Sequence, residues 1–280
     1  MRDSDYEFIR TLVYQHSRIN LGPNKRELVA ARLGKRIRAT PHASIESYCS
    51  SLRAGEASAD EVAQLVDAIS TNHTYFFREN AHFEYLRSCV LPDLAACRRF
   101  ERWPALRLWS AACSTGEEPY TMAITVAETL PPMAPNWPWR IDATDISHRV
   151  LEHARNGIYS DDAVNRMPAE LIRRYFLQGF GPQAGRRRVK PSLQERVEFT
   201  HLNLIDGAFP FVEQFQVIFC RNVMIYFDRP TQECLVERLT AQLVPGGYLF
   251  VGHSESLTGI HHALQTVAPA VYRRALAAKP

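Results

Sequence analysis

The stretch Leu106-Arg107-Leu108-Trp109-Ser110-Ala111-Ala112, followed by Cys113-Ser114-Thr115-Gly116-Glu117-Glu118-Pro119, decides the fold. The first seven residues read as a buried strand and Ser114-Thr115-Gly116 as a turn. Glu117-Glu118-Pro119 opens a helix expected to run to about Leu130. Proline is tolerated in that first turn because its missing N–H has no intrahelical partner there. The pattern recurs downstream. Arg140 to Ile146 reads as a second strand containing Asp145, and Ser147 caps a helix from His148 to Arg155. Gln216 to Cys220 is a third strand, Pro230 to Leu243 its helix, and Pro245-Gly246-Gly247 turns into a strand from Tyr248 to Gly252. Such alternation predicts an α/β domain with a parallel sheet covered on both faces, binding ligands at the carboxyl ends of its strands.

The turn after the first strand limits what binds there. It holds one glycine, so the G-x-G-x-x-G dinucleotide pattern is missing, and no lysine, so it is no P-loop. Carboxylates at a helix N-terminus repel a pyrophosphate and attract an ammonium. Spacing alone does not choose between Glu117 and Glu118. Asp145 stands where nucleoside-binding α/β folds place an acid on the ribose hydroxyls, although it equally fits a helix start before Ser147. One acid for an amino group and one for a ribose, without a phosphate cradle, describe S-adenosylmethionine.

Working outward, the first ~90 residues carry helical periodicity and no strand-like alternation. Phe8, Ile9, Leu12, Val13 and Ile19 mark one helix, and Pro23-Asn24 opens another reaching about Ala39. Pro41 and Ser44 precede a third, and Ser58 with Glu61 forms a capping-box pattern ahead of Val62, Leu65, Val66 and Ile69. A helical domain is expected at 1–75 and the α/β domain at 76–280. Gly179-Phe180-Gly181-Pro182-Gln183-Ala184-Gly185 and the basic Arg186-Arg187-Arg188-Val189-Lys190 break the rhythm. They read as a small antiparallel β excursion at about 179–200 or as a solvated loop.

The 280 residues are 46% hydrophobic and 22% charged, an ordinary globular composition. No apolar run suits a membrane span, and the charged start at Met1–Asp5 leads into no secretory h-region, so a cytoplasmic protein without membrane insertion is expected. The six cysteines include no C-x-x-C pair; they read as reduced packing residues, and no metal is expected. A net charge of +3 argues against bulk nucleic-acid binding, yet seven basic residues face only Glu27 between Arg18 and Arg38. That local basic face fits one acidic partner surface. At about 100° per residue, Lys25, Arg32 and Arg36 form a stripe beside Val29, Leu33 and Ile37. By itself the stripe fits a solvated face equally well.

Four segments resemble the CheR family, the chemotaxis receptor glutamate O-methyltransferases. They are Thr71-Asn72-His73-Thr74-Tyr75-Phe76-Phe77-Arg78-Glu79, Trp109 to Tyr120, Ala143-Thr144-Asp145-Ile146, and Phe219-Cys220-Arg221-Asn222-Val223-Met224-Ile225-Tyr226-Phe227. Gly252-His253-Ser254-Glu255 also looks like the family. The resemblance runs through almost the whole chain in order. It implies an all-α receptor-recognition domain joined to a Rossmann-like, class I S-adenosylmethionine domain with a small inserted β-subdomain. The implied reaction moves a methyl group to glutamate side chains of chemoreceptor signalling domains, leaving S-adenosylhomocysteine.

By resemblance, Asn72, Thr74 and Arg78 reach over the cofactor and Ala112 lines the turn. Glu118, rather than Glu117, takes the methionyl amino group, and Asp145 takes the ribose. Asn203 and Leu204 surround adenine, while Asn222 and Val223 lie near the methionine part. Arg78 and Tyr226 lie nearest the transferred methyl as the catalytic pair. Cys113 stands where the family usually has a small residue such as Ala, and His253 has no assigned role. Tyr75, Phe76 and Phe77 read as core or cofactor wall. Arg32 and Arg36 are expected to read the acidic side of a receptor helix. Gly181 and Gly185 resemble the loop of members that capture a receptor's C-terminal pentapeptide, with Arg187 or Arg188 meeting its acids. Two rivals remain: a methyltransferase of nucleic acid or a small molecule, which would want a wider basic groove, and a non-catalytic S-adenosylmethionine-binding signalling module. Nothing demands a dimer, and a monomer is expected.

Overall fold

The computed structural model describes residues 1–276. Four helices come first: α1 (Asp3–Ser17), α2 (Arg26–Ile37), α3 (Ile45–Arg53) and α4 (Ala59–Ile69). Their apolar faces share one core in which Ile9, Val13, Val29, Leu33, Cys49 and Leu65 are fully buried. The capping box falls at Ser44 and Ser47, where each side chain serves the other's backbone N–H. At Ser58 it is only half made. Ser58 caps the Glu61 N–H, but the Glu61 carboxylate goes to Arg36 and to the Tyr48 hydroxyl. A guanidinium is a stronger partner than a backbone N–H.

After a linker, α5 (Ala81–Tyr85) continues through one π-helical turn (Leu86–Val90) into α6 (Leu91–Glu101). The alternating region then begins with β1 (Leu106–Ala111), α7 (Glu117–Met133), β2 (Trp139–Asp145) and α8 (His148–Asn156). Next come β3 (Ile158–Ser160), α9 (Asp161–Val164), α10 (Ala169–Tyr175), β4 (Phe176–Gln178), β5 (Arg186–Val189) and α11 (Pro191–Gln194). The chain ends through β6 (Val197–His201), β7 (Phe215–Cys220), α12 (Arg229–Gln242), β8 (Leu243–Val251), β9 (Leu264–Ala268) and β10 (Val271–Arg274).

Seven strands form one sheet in the order β6-β2-β1-β7-β8-β10-β9. The first five run parallel, and β1 and β7 are buried at every residue. Two layers of helices cover them, as a parallel sheet requires. The sheet is nevertheless mixed, since β10 pairs antiparallel with both β8 and β9. That hairpin escaped the sequence reading because most of β9 is exposed and carries no buried apolar run. The chain order reverses at β1, between β2 and β7, which is where such sheets open a crevice. No helix among the described residues is long and apolar enough to cross a membrane.

The small antiparallel sheet, β3-β5-β4, exists but is displaced from the expected 179–200. It draws its strands from 158–189, whereas Val197–His201 pairs in parallel with β2 in the main sheet. The pairing of β3 with β5 spans two helices, so local patterning cannot reveal it. In the loop joining β4 to β5, Gly181 and Gly185 adopt left-handed φ values of 55° and 78°. At Gly179 the limit is space, because a Cβ would lie 2.0 Å from the Gln183 carbonyl oxygen.

Gly116 caps α7 at φ 97°, and a Cβ there would sit 2.8 Å from both the Ala154 Cβ and the Tyr159 hydroxyl. Gly116→Ala should therefore lower the unfolding free energy by about 2–4 kcal/mol, read by urea titration. A loss below about 0.5 kcal/mol would mean that the turn repacks freely.

Candidate functional site

The carboxyl ends of β2, β1 and β7 open into a cleft of about 1340 Å³, mouth included. Its floor is the turn after β1, where Ala112 and Ser114 take left-handed φ values of 67° and 50°. Non-glycine residues held this way cluster at functional sites because surrounding contacts must enforce them. One such contact is the Ser114 N–H, which donates to Asp145 Oδ2 at 2.9 Å. The Ser147 N–H donates to Oδ1 at 2.9 Å, so both oxygens of this buried acid are aimed. Burial raises the Asp145 carboxyl above its ordinary range, against the pull of those donors.

Glu118, in the first turn of α7, lines the cleft. Its Oε1 accepts from the Ser110 hydroxyl at 2.7 Å and its Oε2 from Arg221 Nη1 at 3.0 Å. Burial raises its carboxyl, and the Arg221 charge opposes that rise. A carboxylate has acceptor capacity for about four donors, so Glu118 keeps room for an ammonium. Glu117 does not line the cleft; its carboxylate accepts from Thr115 Oγ1 at 2.6 Å.

The linker after α4 and the helical domain form the roof. Asn72 accepts on its carbonyl from the Ser114 hydroxyl at 2.9 Å, while its Nδ2 is buried without a protein partner. Such an orphan donor costs free energy unless a ligand accepts from it. Arg78 Nη1 donates to the His73 carbonyl at 2.7 Å. The helical domain is fastened by the Asn20 N–H on the Tyr226 carbonyl and Asn203 Nδ2 on the His16 carbonyl, each 2.8 Å, and by Tyr14–Asp228 and Ser147–Asp67. Asn203 thus commits one amide N–H to the roof.

The structure gathers Asn72, Thr74, Arg78, Ala112, Glu118, Asp145, Asn203, Leu204, Asn222, Val223 and Tyr226 around this single cleft. Cys113 joins them with its thiol raised by burial. The expected basic stripe is a different matter. Val29, Leu33 and Ile37 are buried as expected, but Arg32 and Arg36 do not stand free. Arg32 lines the cleft and donates to the Ile69 and Ser70 carbonyls and to Thr71 Oγ1. Arg36 is held by the Glu61 carboxylate. Both charges face inward-lying acceptors that come from α4 and its end, far along the chain. Gly181 and Gly185 lie in the loop joining β4 to β5, Arg187 and Arg188 lie on β5, and none of the four lines the cleft.

Several residues here escaped the sequence reading. Arg221 and Glu79 lie inside the family-like segments, yet no local signal separates them from a surface pair. Arg221 bridges Glu118 and Glu79, and Asn222 Nδ2 donates to Glu79 Oε1 at 3.1 Å. Glu79 therefore does not neutralise Arg78. Glu255 accepts backbone N–H bonds from Asn222, Gly252 and Ile225 at 2.5–3.2 Å, which shapes the loop that carries Asn222 to Tyr226. Glu79, His82 and His253 place ligand-type atoms within 4.8 Å of one another. Glu79 Oε2 already accepts from Arg221 and from the His253 N–H at 3.0 and 3.1 Å, so a cation there would have to displace two donors.

Burial, aided by the nearby Arg221 and His253, pushes His82 down to about 3. Buried His82 therefore stays neutral while the unfolded chain binds a proton below about pH 6.5. Its contribution is complete above that pH and is lost as pH falls towards 3. Replacing His82→Gln removes this loss. The stability difference between wild type and variant should shift in the variant's favour between pH 6.5 and 4.5 in urea titrations. A pH-independent difference would mean that His82 does not titrate this way.

Residues 4–70 match the family model described as CheR methyltransferase, all-alpha domain, and residues 72–272 match CheR methyltransferase, SAM binding domain. The chain is 42% identical over 268 residues to chemotaxis protein methyltransferase 2 of Pseudomonas aeruginosa, covering 96% of this chain and 92% of that one. It is 41% identical over 272 residues to a chemotaxis protein methyltransferase of Salmonella typhimurium, covering 97% and 90%. With both halves of the family matched in order and a cleft built between them, this chain belongs to the CheR methyltransferase family.

Proposed function

We propose that this protein transfers the methyl group of S-adenosylmethionine to glutamate side chains of chemoreceptors, forming glutamyl methyl esters. The observation that carries this reading is the cleft itself. It joins an acid with room for an ammonium (Glu118), an acid aimed by two backbone donors (Asp145), an orphan donor (Asn72) and a guanidinium (Arg78). The relatives' names, chemotaxis protein methyltransferase, supply the receptor class.

The residues present fit the cofactor. Glu118 would hold its amino group and Asp145 its ribose hydroxyls, and the acidic start of α7 suits a ligand without phosphate. When bound, S-adenosylmethionine supplies an electrophilic methyl on a sulfonium. The chain needs no general base, because a glutamate side chain with an ordinary pKa near 4.3 is already ionised at pH 7. Arg78 has one guanidinium nitrogen on the His73 carbonyl and presents the rest of its fork to an incoming carboxylate. Tyr226 lines the same cleft, and its backbone is pinned to Asn20. The roof from α1, α2 and the linker shelters the cleft, so the chain's contribution to rate is alignment of the reacting groups.

The small sheet suits capture of a receptor's C-terminal peptide. Its outer strands β3 and β4 offer edges for strand addition. Leu177 on β4 and Phe180 just after it are 46% and 77% exposed. Arg187 is held by Asp161 at 2.6 Å, so Arg188, exposed on the same strand, is the better reader of acidic side chains.

Labelled methyl transfer to chemoreceptor cytoplasmic fragments, with and without their last five residues, tests both parts. Base-labile label on a receptor is expected, with less after truncation. Cofactor binding without label on any fragment would favour the non-catalytic signalling module instead. Asp145→Ala should weaken S-adenosylhomocysteine binding by about 10- to 100-fold, the worth of hydrogen bonds to a charged acceptor. Arg78→Ala should lower kcat/KM by about 10- to 100-fold for the same reason; unchanged turnover would remove its assignment.

A further inference from the structure

Arg221 occupies a position that the proposed reaction does not explain. Its side chain is 1% exposed, and its head is held at two ends. Nη1 donates to Glu118 Oε2 at 3.0 Å, while Nη2 donates to the Arg78 carbonyl at 2.6 Å and to Glu79 Oε2 at 3.0 Å. Nε is buried without an acceptor, and the guanidinium sits against the Phe83 and Phe219 rings at 5.4 and 5.7 Å. Aromatic faces hold a cation without fixing its direction in the plane. The head's position is therefore a contest between Glu118 on one side and the Arg78–Glu79 backbone strap on the other.

The strap is strained. Phe77 and Glu79, which flank Arg78, have left-handed φ values of 57° and 56°. Each costs of order 1–3 kcal/mol and persists only where neighbours enforce it. The neighbours are Arg221 and Asn222 on Glu79, the His253 N–H on the same carboxylate, and the Thr121 hydroxyl, which accepts from the Phe77 N–H at 3.2 Å. Glu79 is ionised throughout the neutral range: burial raises its carboxyl, but Asn222, Arg221 and His253 together bring it down to about 2.

We propose that Arg221 and Glu79 are positioning residues that couple occupation of the Glu118 site to the aim of Arg78. The proposal rests on the reading of Glu118 as the ammonium site and of Arg78 as the residue at the reacting carboxylate. A ligand ammonium that takes the free acceptor capacity of Glu118 shares the carboxylate with Nη1 and, as a second cation beside it, repels the guanidinium. The guanidinium then leans towards Glu79 and the Arg78 carbonyl and tightens the strap. Substrate carboxylate thus meets an ordered Arg78 only after the cofactor is in place. Linkage makes the effect reciprocal, so a loosened strap also relaxes the coupling.

The test uses the full chain with Glu79→Gln and Arg221→Lys. Lysine keeps the charge but cannot span three acceptors. In wild type, S-adenosylhomocysteine should slow hydrogen exchange of the amides between 75 and 82 by tenfold or more, and both variants should lose most of that slowing. Glu79→Gln should lower kcat at least tenfold on receptor fragments and, by the same linkage, S-adenosylhomocysteine affinity from calorimetry by about tenfold, while the melting temperature of the free protein stays close to wild type. Wild-type exchange that ignores the ligand would overturn the coupling. So would a parallel fall of kcat, affinity and melting temperature, the mark of a merely structural ion pair. Should no receptor fragment be methylated by wild type, the proposed reaction fails, while the exchange experiment still decides the coupling.

Discussion

A guanidinium keeps its charge wherever it is placed, and Arg221 is placed in the interior. Its partners therefore had to come to it. Glu118 arrives from the first turn of α7 and Glu79 from the linker after the helical domain. A buried ion cluster of this kind is weak evidence for stability, but losing the guanidinium leaves two carboxylates uncompensated, which costs about 3–5 kcal/mol. This constraint ties the end of β7 to the start of α7 and to the segment that carries Arg78. Three parts of the cleft made from distant sequence are thereby locked in one register.

The second constraint is closure. Parallel strands ending at a reversal of chain order leave an open crevice, and a crevice open to water is a poor place to align a carboxylate with a methyl group. Here the helical domain supplies the lid. Its fastenings fall on residues of the rim itself: Asn203, Tyr226, Asp228 and Ser147 each bond to α1, α4 or the segment after α1. Arg32, which a helical wheel turns towards a partner, instead holds the end of α4 and the start of the linker. The basic helix thus contributes to the roof before it offers anything to a receptor, leaving Arg26 and Lys35 on it, with Lys25 and Arg38 at its two ends, as the exposed basic residues.

Backbone strain is concentrated around the cleft. Ala112, Ser114, Asn222, Phe77 and Glu79 all hold left-handed backbone conformations, and all lie in the cleft wall or beside Arg78. Four of them are held by named bonds: Asp145 on Ser114, Glu255 on Asn222, Thr121 on Phe77, and the donors around Glu79. The same logic explains Glu255, a buried acid whose bonds go to backbone N–H groups. It is a brace for the loop that presents Asn222, Val223 and Tyr226.

Local pattern carried the sequence a long way. Buried strands around Trp109 and Phe219, the Gly116 turn, the Ser147 cap and the apolar stripe of α2 were legible because hydrophobic period and capping chemistry act over a few residues. The cleft residues were legible as a set through their family motifs, and Glu118 was separable from Glu117 only that way. Tertiary structure decided the rest, because the deciding partners are remote. It gave Glu61 to Arg36 rather than to its own helix cap, Arg187 to Asp161, Glu79 to Arg221 rather than Arg78, and the strand at Val197–His201 to the main sheet. A charge is visible in a sequence; which opposite charge will neutralise it depends on what the folded chain brings within a few ångströms.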